Sequence, residues 1–149
     1  ERVVEATPGF SGPHYTTAAA LTLQGVHAPF VFKGSMDGPA FETYIEHILG
    51  PDLVAGDRVV MDNLSPHKQD RIRTLIEARG ATIEFLPPYS PDLNPIEKCW
   101  SKAKAYLRKA KARTFDELLI ALDHALRSIS AQDAAGWFAH CGYAINSTG

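Results

Sequence analysis

Two acidic residues, Asp62 and Glu97, stand where α/β proteins commonly build functional sites. Asp62 ends the short apolar run RVVMD, and the carboxyl end of a parallel strand projects side chains into a crevice that the core does not fill. Asp62 can equally be the residue that caps the turn after this strand. Glu97 follows Asn94 with the spacing of an N-cap and its third helical residue, so a capping box is an alternative to a functional role.

The segment between these two acids favours a shared site. It contains 34 residues, with a helical pattern, a strand pattern and the loop PPYSPDLNP, whose four prolines hold the start of the next helix stiffly. This path returns the chain to the same edge of a parallel sheet. Paired carboxylates without a Cys or His cage favour Mg²⁺ or Mn²⁺, and two such ions roughly 3.5–4 Å apart promote phosphodiester chemistry. The spacing therefore supports the hypothesis of a metal-dependent phosphoryl-transfer site.

The helix that begins near Glu97 is strongly basic. Seven Lys and Arg residues and no acidic residue lie between Lys98 and Arg113. Helical spacing places Lys104 and Arg108 on the face of Glu97, where they could hold a phosphate backbone. The candidate DNA-binding residues of this helix are Lys98, Lys102, Lys104, Arg108 and Lys109. A solvated basic helix without a ligand is the alternative interpretation.

The elements that must position these residues follow from hydrophobic patterning and turn signals. The predicted strands are Arg2–Ala6, Tyr15–Leu23, Ala28–Lys33, Arg58–Asp62 and Thr82–Leu86. The predicted helices are Pro39–Leu49, Pro66–Ala78, Pro95–Lys111, Phe115–Ser128 and a short one before Gly142. The two later strands enclose a helix, which predicts that they are parallel neighbours. Strands first, then alternation, then helices indicate an α/β sheet with helices on both faces.

Length and composition limit the possibilities further. A chain of 149 residues fits one domain, and 45% hydrophobic with 21% charged residues is typical of a globular protein, which excludes disorder, collagen and coiled coil. The net charge of -2 provides no overall field that attracts nucleic acid, so such binding must depend on a local patch.

Cysteine content and hydropathy suggest a compartment. Two cysteines without a CxxC pair suit a reducing environment, and no apolar run approaches the ~20 residues that span a bilayer. We therefore expect a cytoplasmic protein without a membrane partner. A zinc site is a further alternative, although the spacing of its four residues matches no usual zinc finger. These residues are Cys99, His124, His140 and Cys141.

The motif YSPDLNPIEKCW, together with VVMDN followed by His67 and Lys68, resembles the DDE transposases of the mariner superfamily, most closely the bacterial insertion-sequence-630 type. The likeness extends from about Arg2 to Tyr143. It implies a ribonuclease-H-like mixed sheet with helices on both faces, and a DDE transposase or integrase-like catalytic domain over residues 1–149. It also implies a triad of Asp, Asp and Glu that binds two divalent ions, Mg²⁺ or Mn²⁺.

The resemblance assigns roles to particular residues. Asp62 would be the second acid and Glu97 the third, while Asn63, His67 and Lys68 belong to the same motif stretch near the site. Enzymes of this family cut double-stranded DNA at transposon ends and join the freed 3′-hydroxyl to target DNA. The implied partners are double-stranded DNA and further copies of the chain in a homo-oligomer, and the implied location is the bacterial cytoplasm, at the nucleoid when bound to DNA.

The sequence departs from the family pattern at its amino end. The first Asp of the triad belongs to a strand upstream of this sequence, and neither Glu1 nor Glu5 has the matching context. We therefore expect the first, central strand of the sheet to be absent, the domain to be incomplete at its amino end, and the chain alone to be inactive. The alternative function is a catalytically inactive transposase remnant that binds DNA or a partner through the basic helix.

Overall fold

The computed structural model of the chain describes residues 2–12, 15–34, 37–88, 90 and 93–143. Its strands are β1 (Val3–Gly12), β2 (Tyr15–Thr22), β3 (Gly25–Lys33), β4 (Arg58–Met61) and β5 (Thr82–Phe85). Its α-helices are α1 (Gly38–Tyr44), α2 (Pro66–Glu77), α3 (Ile96–Ala110), α4 (Phe115–Arg127) and α5 (Ala131–His140). A π-helical segment, Ile45–Leu49, and a 3-10 turn, Gly50–Asp52, continue α1. No helix among the described residues is long and apolar enough to cross a membrane.

The five strands form one mixed sheet in the order β3-β2-β1-β4-β5. The first three are antiparallel neighbours, while β4 is parallel to both β1 and β5. The predicted α/β class and the parallel pair are thus confirmed. The prediction that the central strand is absent is wrong, because β1 occupies the position between β2 and β4. Sequence patterning indicates that Arg2–Ala6 is a strand, but it cannot tell which strands that segment will pair with.

Helices cover both faces of this sheet, and each face has its own core. Val4 and Ala6 point to one face and join Val59 and Met61 in a cluster beneath α1 and α2. Val3 points to the other face, where the core is built from α3, α4 and α5. This alternation follows from the pleat of a strand, in which successive side chains point to opposite faces. The residues after Val3 with the same parity therefore face α3.

An ion pair fixes the start of the central strand against the loop before β4. The guanidinium of Arg2 donates to both carboxylate oxygens of Asp57, at 3.1 and 2.7 Å, and the carbonyl of Arg2 accepts from the amide of Arg58 at 2.8 Å. Val3 then pairs with Arg58 and Glu5 with Val60. These contacts set the register that decides which β1 residue lies beside the end of β4.

The first turns of α4 and α3 test the capping interactions predicted from sequence. The predicted capping box of α4 is present, with Thr114 and Glu117 bonded reciprocally. The predicted N-cap role of Asn94 is wrong: α3 begins at Ile96, its N-cap is Pro95, and no side chain caps it. The side chain of Asn94 has a different partner, described below.

Candidate active site

Asp62 lies directly after β4 at the carboxyl edge of the sheet, as predicted. Asp62 is exposed and lies between two parts of the fold: it lines a cavity beneath α1 and α2, and its carboxylate meets Asn94 just before α3. The side-chain amide of Asn94 donates a hydrogen bond of 2.6 Å from Nδ2 to Asp62 Oδ1. The end of β4 and the start of α3 are thereby joined through the acid itself.

Glu97 stands in the first turn of α3, where its backbone amide donates to the carbonyl of Asn94 at 3.2 Å. The buried side chains of Ile96 and Trp100 anchor this end of the helix in the core. Partial burial of the Glu97 carboxyl and the nearby charge of Asp62 raise its pKa, and the charge of Lys104 acts in the opposite direction. The two predicted acids are therefore close enough for the charge of Asp62 to act on Glu97.

Glu5, which did not match the family pattern in sequence, is a third acid close enough to feel the charges of Asp62 and Glu97. It lies in the central strand on the α3 side, is completely buried, and neither carboxylate oxygen has a hydrogen-bond partner among the described residues. Burial, and then the charges of Asp62 and Glu97, raise the pKa of Glu5 to about 9. An acid inside the apolar strand VVEAT is the sequence signal that could have identified it, because a buried carboxylate without a partner is costly.

The three carboxyl groups belong to three different elements, β1, the end of β4 and the start of α3. Among the described residues, no group of three His, Cys, Asp or Glu side chains is close enough together to hold a metal ion. Like charges oppose the close approach of carboxylates unless one is protonated or a cation lies between them. The acids are therefore neighbours that share an electrostatic environment, and they do not form a closed ligand cage.

The residues predicted near the site differ in their placement. Lys68 and Asp62 line the same small cavity, of about 120 Å³, between Ala6 of β1, the end of β4 and the helices α1 and α2. Asn63 is exposed and accepts a long hydrogen bond, 3.4 Å, from Gln69. His67 is exposed in the first turn of α2. Of the three, Lys68 is the one whose position beside Asp62 the structure documents.

The basic residues of α3 are all exposed. They are Lys98, Lys102, Lys104, Arg108 and Lys109. Lys104 lies close enough to Glu97 to influence its pKa. Lys102 forms an ion pair of 2.6 Å with Asp133 on α5, which gives it a partner within the fold. The basic surface beside the acids thus centres on Lys104.

The alternative zinc site finds no support in the described part of the chain. Cys99 and Cys141 are both buried and neither forms a disulfide, and among the described residues no group of three ligating side chains could hold a metal ion. Burial raises the pKa of the Cys99 thiol to about 12. Both cysteines pack as small apolar residues in the cores.

The mixed sheet in the order β3-β2-β1-β4-β5, with helices on both faces, is the arrangement of a ribonuclease-H-like domain. Three solved structures confirm this fold. The catalytic domain of Mos1 mariner transposase has a TM-score of 0.70 at 15% identity, with 94% of this chain and 75% of that chain covered. The structure of the Mos1 catalytic domain and raltegravir with Mn has a TM-score of 0.72 at 13% identity, with 97% of this chain and 85% of that chain covered. The Mos1 strand transfer complex gives 0.66 at 12% identity, covering 94% and 50%.

The chain belongs to the DDE superfamily endonuclease family, whose profile matches residues 2–119. It is 27% identical over 100 residues to the transposable element Tcb1 transposase of Caenorhabditis briggsae. That alignment covers 64% of this chain and 37% of the relative, so the chain spans well under half the length of the curated relative that it matches. The predicted family is confirmed; the closer assignment to the bacterial insertion-sequence-630 type stays a prediction.

Proposed function

We propose that this chain is the catalytic part of a transposase that cleaves DNA and transfers the cut strand with the help of divalent metal ions. The observation that carries the proposal is the buried Glu5 carboxyl, which has no hydrogen-bond partner among the described residues and lies beside Asp62 and Glu97. A fold gains nothing from a buried carboxyl whose pKa is raised by burial and by the charges of two neighbouring acids. A site that binds a cation and phosphates does.

The donor set fits a hard divalent cation. All three side chains offer carboxylate oxygens, which Mg²⁺ and Mn²⁺ prefer. We propose that Asp62 and Glu97 hold the metal, with Glu5 as a third ligand, and that the complete site takes two ions. When bound, such ions activate the attacking oxygen and stabilise the leaving oxygen in phosphodiester cleavage. The crystal of Mos1 with Mn supports the choice of metal.

The residues of the chain contribute in distinct ways. Glu5 holds a proton at neutral pH in the metal-free protein, since its pKa is about 9, and this proton must leave before the carboxylate can bind a cation. Asp62 is held by Asn94 at the end of β4. Lys104, close to Glu97, supplies positive charge where a phosphate would approach.

The identity of the first acid bears on the activity of this chain. The family resemblance implies Asp at this position, and the side chain of Glu is longer by one carbon–carbon bond, about 1.5 Å. Misplacement by about 1 Å can cost a hundredfold in rate. We therefore propose that the 149-residue chain binds Mn²⁺ but shows no cleavage above background, in agreement with the expectation from sequence.

The basic surface of α3 is the proposed path of DNA. Lys98, Lys104, Arg108 and Lys109 are exposed on the helix that carries Glu97. Mos1 has been crystallised as a strand transfer complex, which supports double-stranded DNA as the partner. A homo-oligomer assembled on DNA, and action in the bacterial cytoplasm at the nucleoid, complete the proposal.

A second candidate is a remnant that binds DNA without catalysis. The observation that favours it is Glu in place of Asp on the central strand. Both candidates share the fold and the basic helix, and they differ in whether the three acids bind a metal ion.

Metal binding and cleavage can be measured together. Isothermal titration with Mn²⁺ should show binding by the wild type, and Asp62→Asn or Glu97→Gln should weaken it at least tenfold while the circular dichroism spectrum is unchanged. Glu5→Asp should produce Mn²⁺-dependent nicking of transposon-end DNA, which Asp62→Asn in the same chain abolishes. A wild type that binds DNA but no Mn²⁺ would exclude the enzyme and support the remnant.

A further inference from the structure

Asn94 links the two elements that carry Asp62 and Glu97. Its side chain is 1% exposed, and its Nδ2 donates to Asp62 Oδ1 at 2.6 Å, across 32 positions of the sequence. It is therefore a buried neighbour of the acid that ends β4. A hydrogen bond this short to a carboxylate is charge-assisted and stronger than one between neutral groups.

The backbone around Asn94 is fixed independently of its side chain. The Asn94 carbonyl accepts from the Glu97 amide, and Pro95 restricts the next φ angle. Just before it, the Leu93 amide donates to the carbonyl of Ser90, and the hydroxyl of Tyr143 donates to the carbonyl of Leu93 at 3.2 Å. The start of α3 thus needs nothing from the Asn94 amide group, which is placed rigidly against Asp62.

The other end of the same amide is unsatisfied. Asn94 Oδ1 is buried and has no hydrogen-bond partner among the described residues. The opposite orientation of the amide would set this oxygen against the Asp62 carboxylate, so the acid decides which atom faces it. A buried unpaired amide oxygen costs stability, and an apolar side chain would fill the space without that cost. Stability alone does not explain an asparagine at this position.

We propose that Asn94 is a positioning residue for the metal site: its Nδ2 occupies one oxygen of Asp62 and so holds the other in the direction of the cation. An amide NH₂ can only donate, so it orients the carboxylate without adding charge. This inference rests on the proposed metal-dependent function. Removing a residue that hydrogen-bonds to a metal ligand without contacting the metal typically weakens metal affinity by roughly 10- to 100-fold.

Two variants separate positioning from packing. Asn94→Ala removes the donor and leaves space, whereas Asn94→Leu removes the donor and the unpaired oxygen while filling the space. We expect both to bind Mn²⁺ at least tenfold more weakly than the wild type, measured by titration and by the electron paramagnetic resonance signal of Mn²⁺. Asn94→Leu should unfold at a temperature equal to or above that of the wild type. A merely structural asparagine would give the reverse: lower stability and unchanged Mn²⁺ affinity.

The matched control is Thr16→Val. Thr16 is also buried and donates a side-chain hydrogen bond, to the carbonyl of Gly34 at 2.9 Å. It lies at the start of β2, where it pairs with Ser11, whereas Glu5 pairs with Leu21 near the end of β2. This variant should lower the unfolding temperature and leave Mn²⁺ affinity within twofold of the wild type. A tenfold loss in the control would mean that affinity follows global stability, which would overturn the inference.

The inference and the proposed function can fail separately. If the wild type binds Mn²⁺ and both Asn94 variants bind it equally well, Asn94 has no positioning role and the proposed function stands. If the wild type binds no Mn²⁺, the proposed function is overturned. Metal-free crystal structures of the wild type and Asn94→Leu then still decide the inference, since an Asp62 carboxylate with the same rotamer in both would refute it.

Discussion

Replacing Glu5 with Gln should make the metal-free protein more stable and reduce its stabilisation by metal. The substitution keeps the shape of the side chain and removes its ability to ionise. In the folded chain, burial and the charges of Asp62 and Glu97 raise the pKa of Glu5 to about 9, against an ordinary value of 4.5. The wild type must therefore keep a proton on Glu5 at neutral pH, whereas the unfolded chain releases it.

The size of the effect follows from proton linkage. About 2.5 pH units separate the ordinary pKa from pH 7, and each unit is worth about 1.4 kcal/mol. Keeping the proton thus costs the wild type up to about 3 kcal/mol at pH 7, which Glu5→Gln avoids. Because the folded-state pKa is raised, the folded wild type binds more protons than the unfolded chain, and its stability falls as pH rises from about 4.5 to about 9.

The assay is denaturant unfolding in EDTA at several pH values, followed by circular dichroism. We expect the two proteins to have equal stability near pH 4, and Glu5→Gln to gain up to about 3 kcal/mol at pH 7. Added Mn²⁺ should stabilise the wild type more than Glu5→Gln. A difference that does not change between pH 4 and pH 8 would refute the reasoning, since it would show that Glu5 does not hold its proton in the fold.

Two further predictions concern the basic helix and the start of β1. Replacing Lys104 and Arg108 with Ala should weaken binding to double-stranded DNA and reduce the slope of log K against log salt concentration by about 0.9 per lost phosphate contact. Lys102→Ala is the control, because the Lys102 side chain is paired with Asp133 within the fold, and it should leave this slope unchanged. Equal slopes in all variants would place DNA on another surface. Asp57→Asn should lower the free energy of unfolding at pH 7 by about 2 kcal/mol, less than for a fully buried pair because the guanidinium partner is 30% exposed. Burial raises the pKa of Asp57, but hydrogen bonds from the Arg2 guanidinium and the Val54 amide lower it more, so the folded-state pKa lies below the ordinary value of 3.8. The stability that the ionised Asp57 contributes is therefore present above pH 3.8 and is lost as the pH falls through the folded-state pKa. A loss that is the same at pH 7 and pH 3 would contradict this account.

Local signals were enough to find two of the three acids. Asp62 follows a buried apolar run, and Glu97 opens a helix after a proline-rich loop, so both belong to patterns that short stretches of sequence define. The parallel pairing of β4 and β5 followed from the helix between them. In each case the residues that indicate the feature lie within about 35 positions of one another, and the short connection between them leaves few alternative arrangements.

The sequence by itself determined the class of the fold, the helix that carries the basic residues, and the family motif around Asp62 and Glu97. Only the tertiary structure decided that β1 is the central strand, that Glu5 is the acid beside Asp62, and that the amide of Asn94 binds a carboxylate and does not cap α3. The physical reason is that these facts depend on strand pairing and side-chain contacts between segments more than 30 residues apart. Patterning shows which face of an element is apolar, but the partner that covers that face is chosen when the whole domain packs.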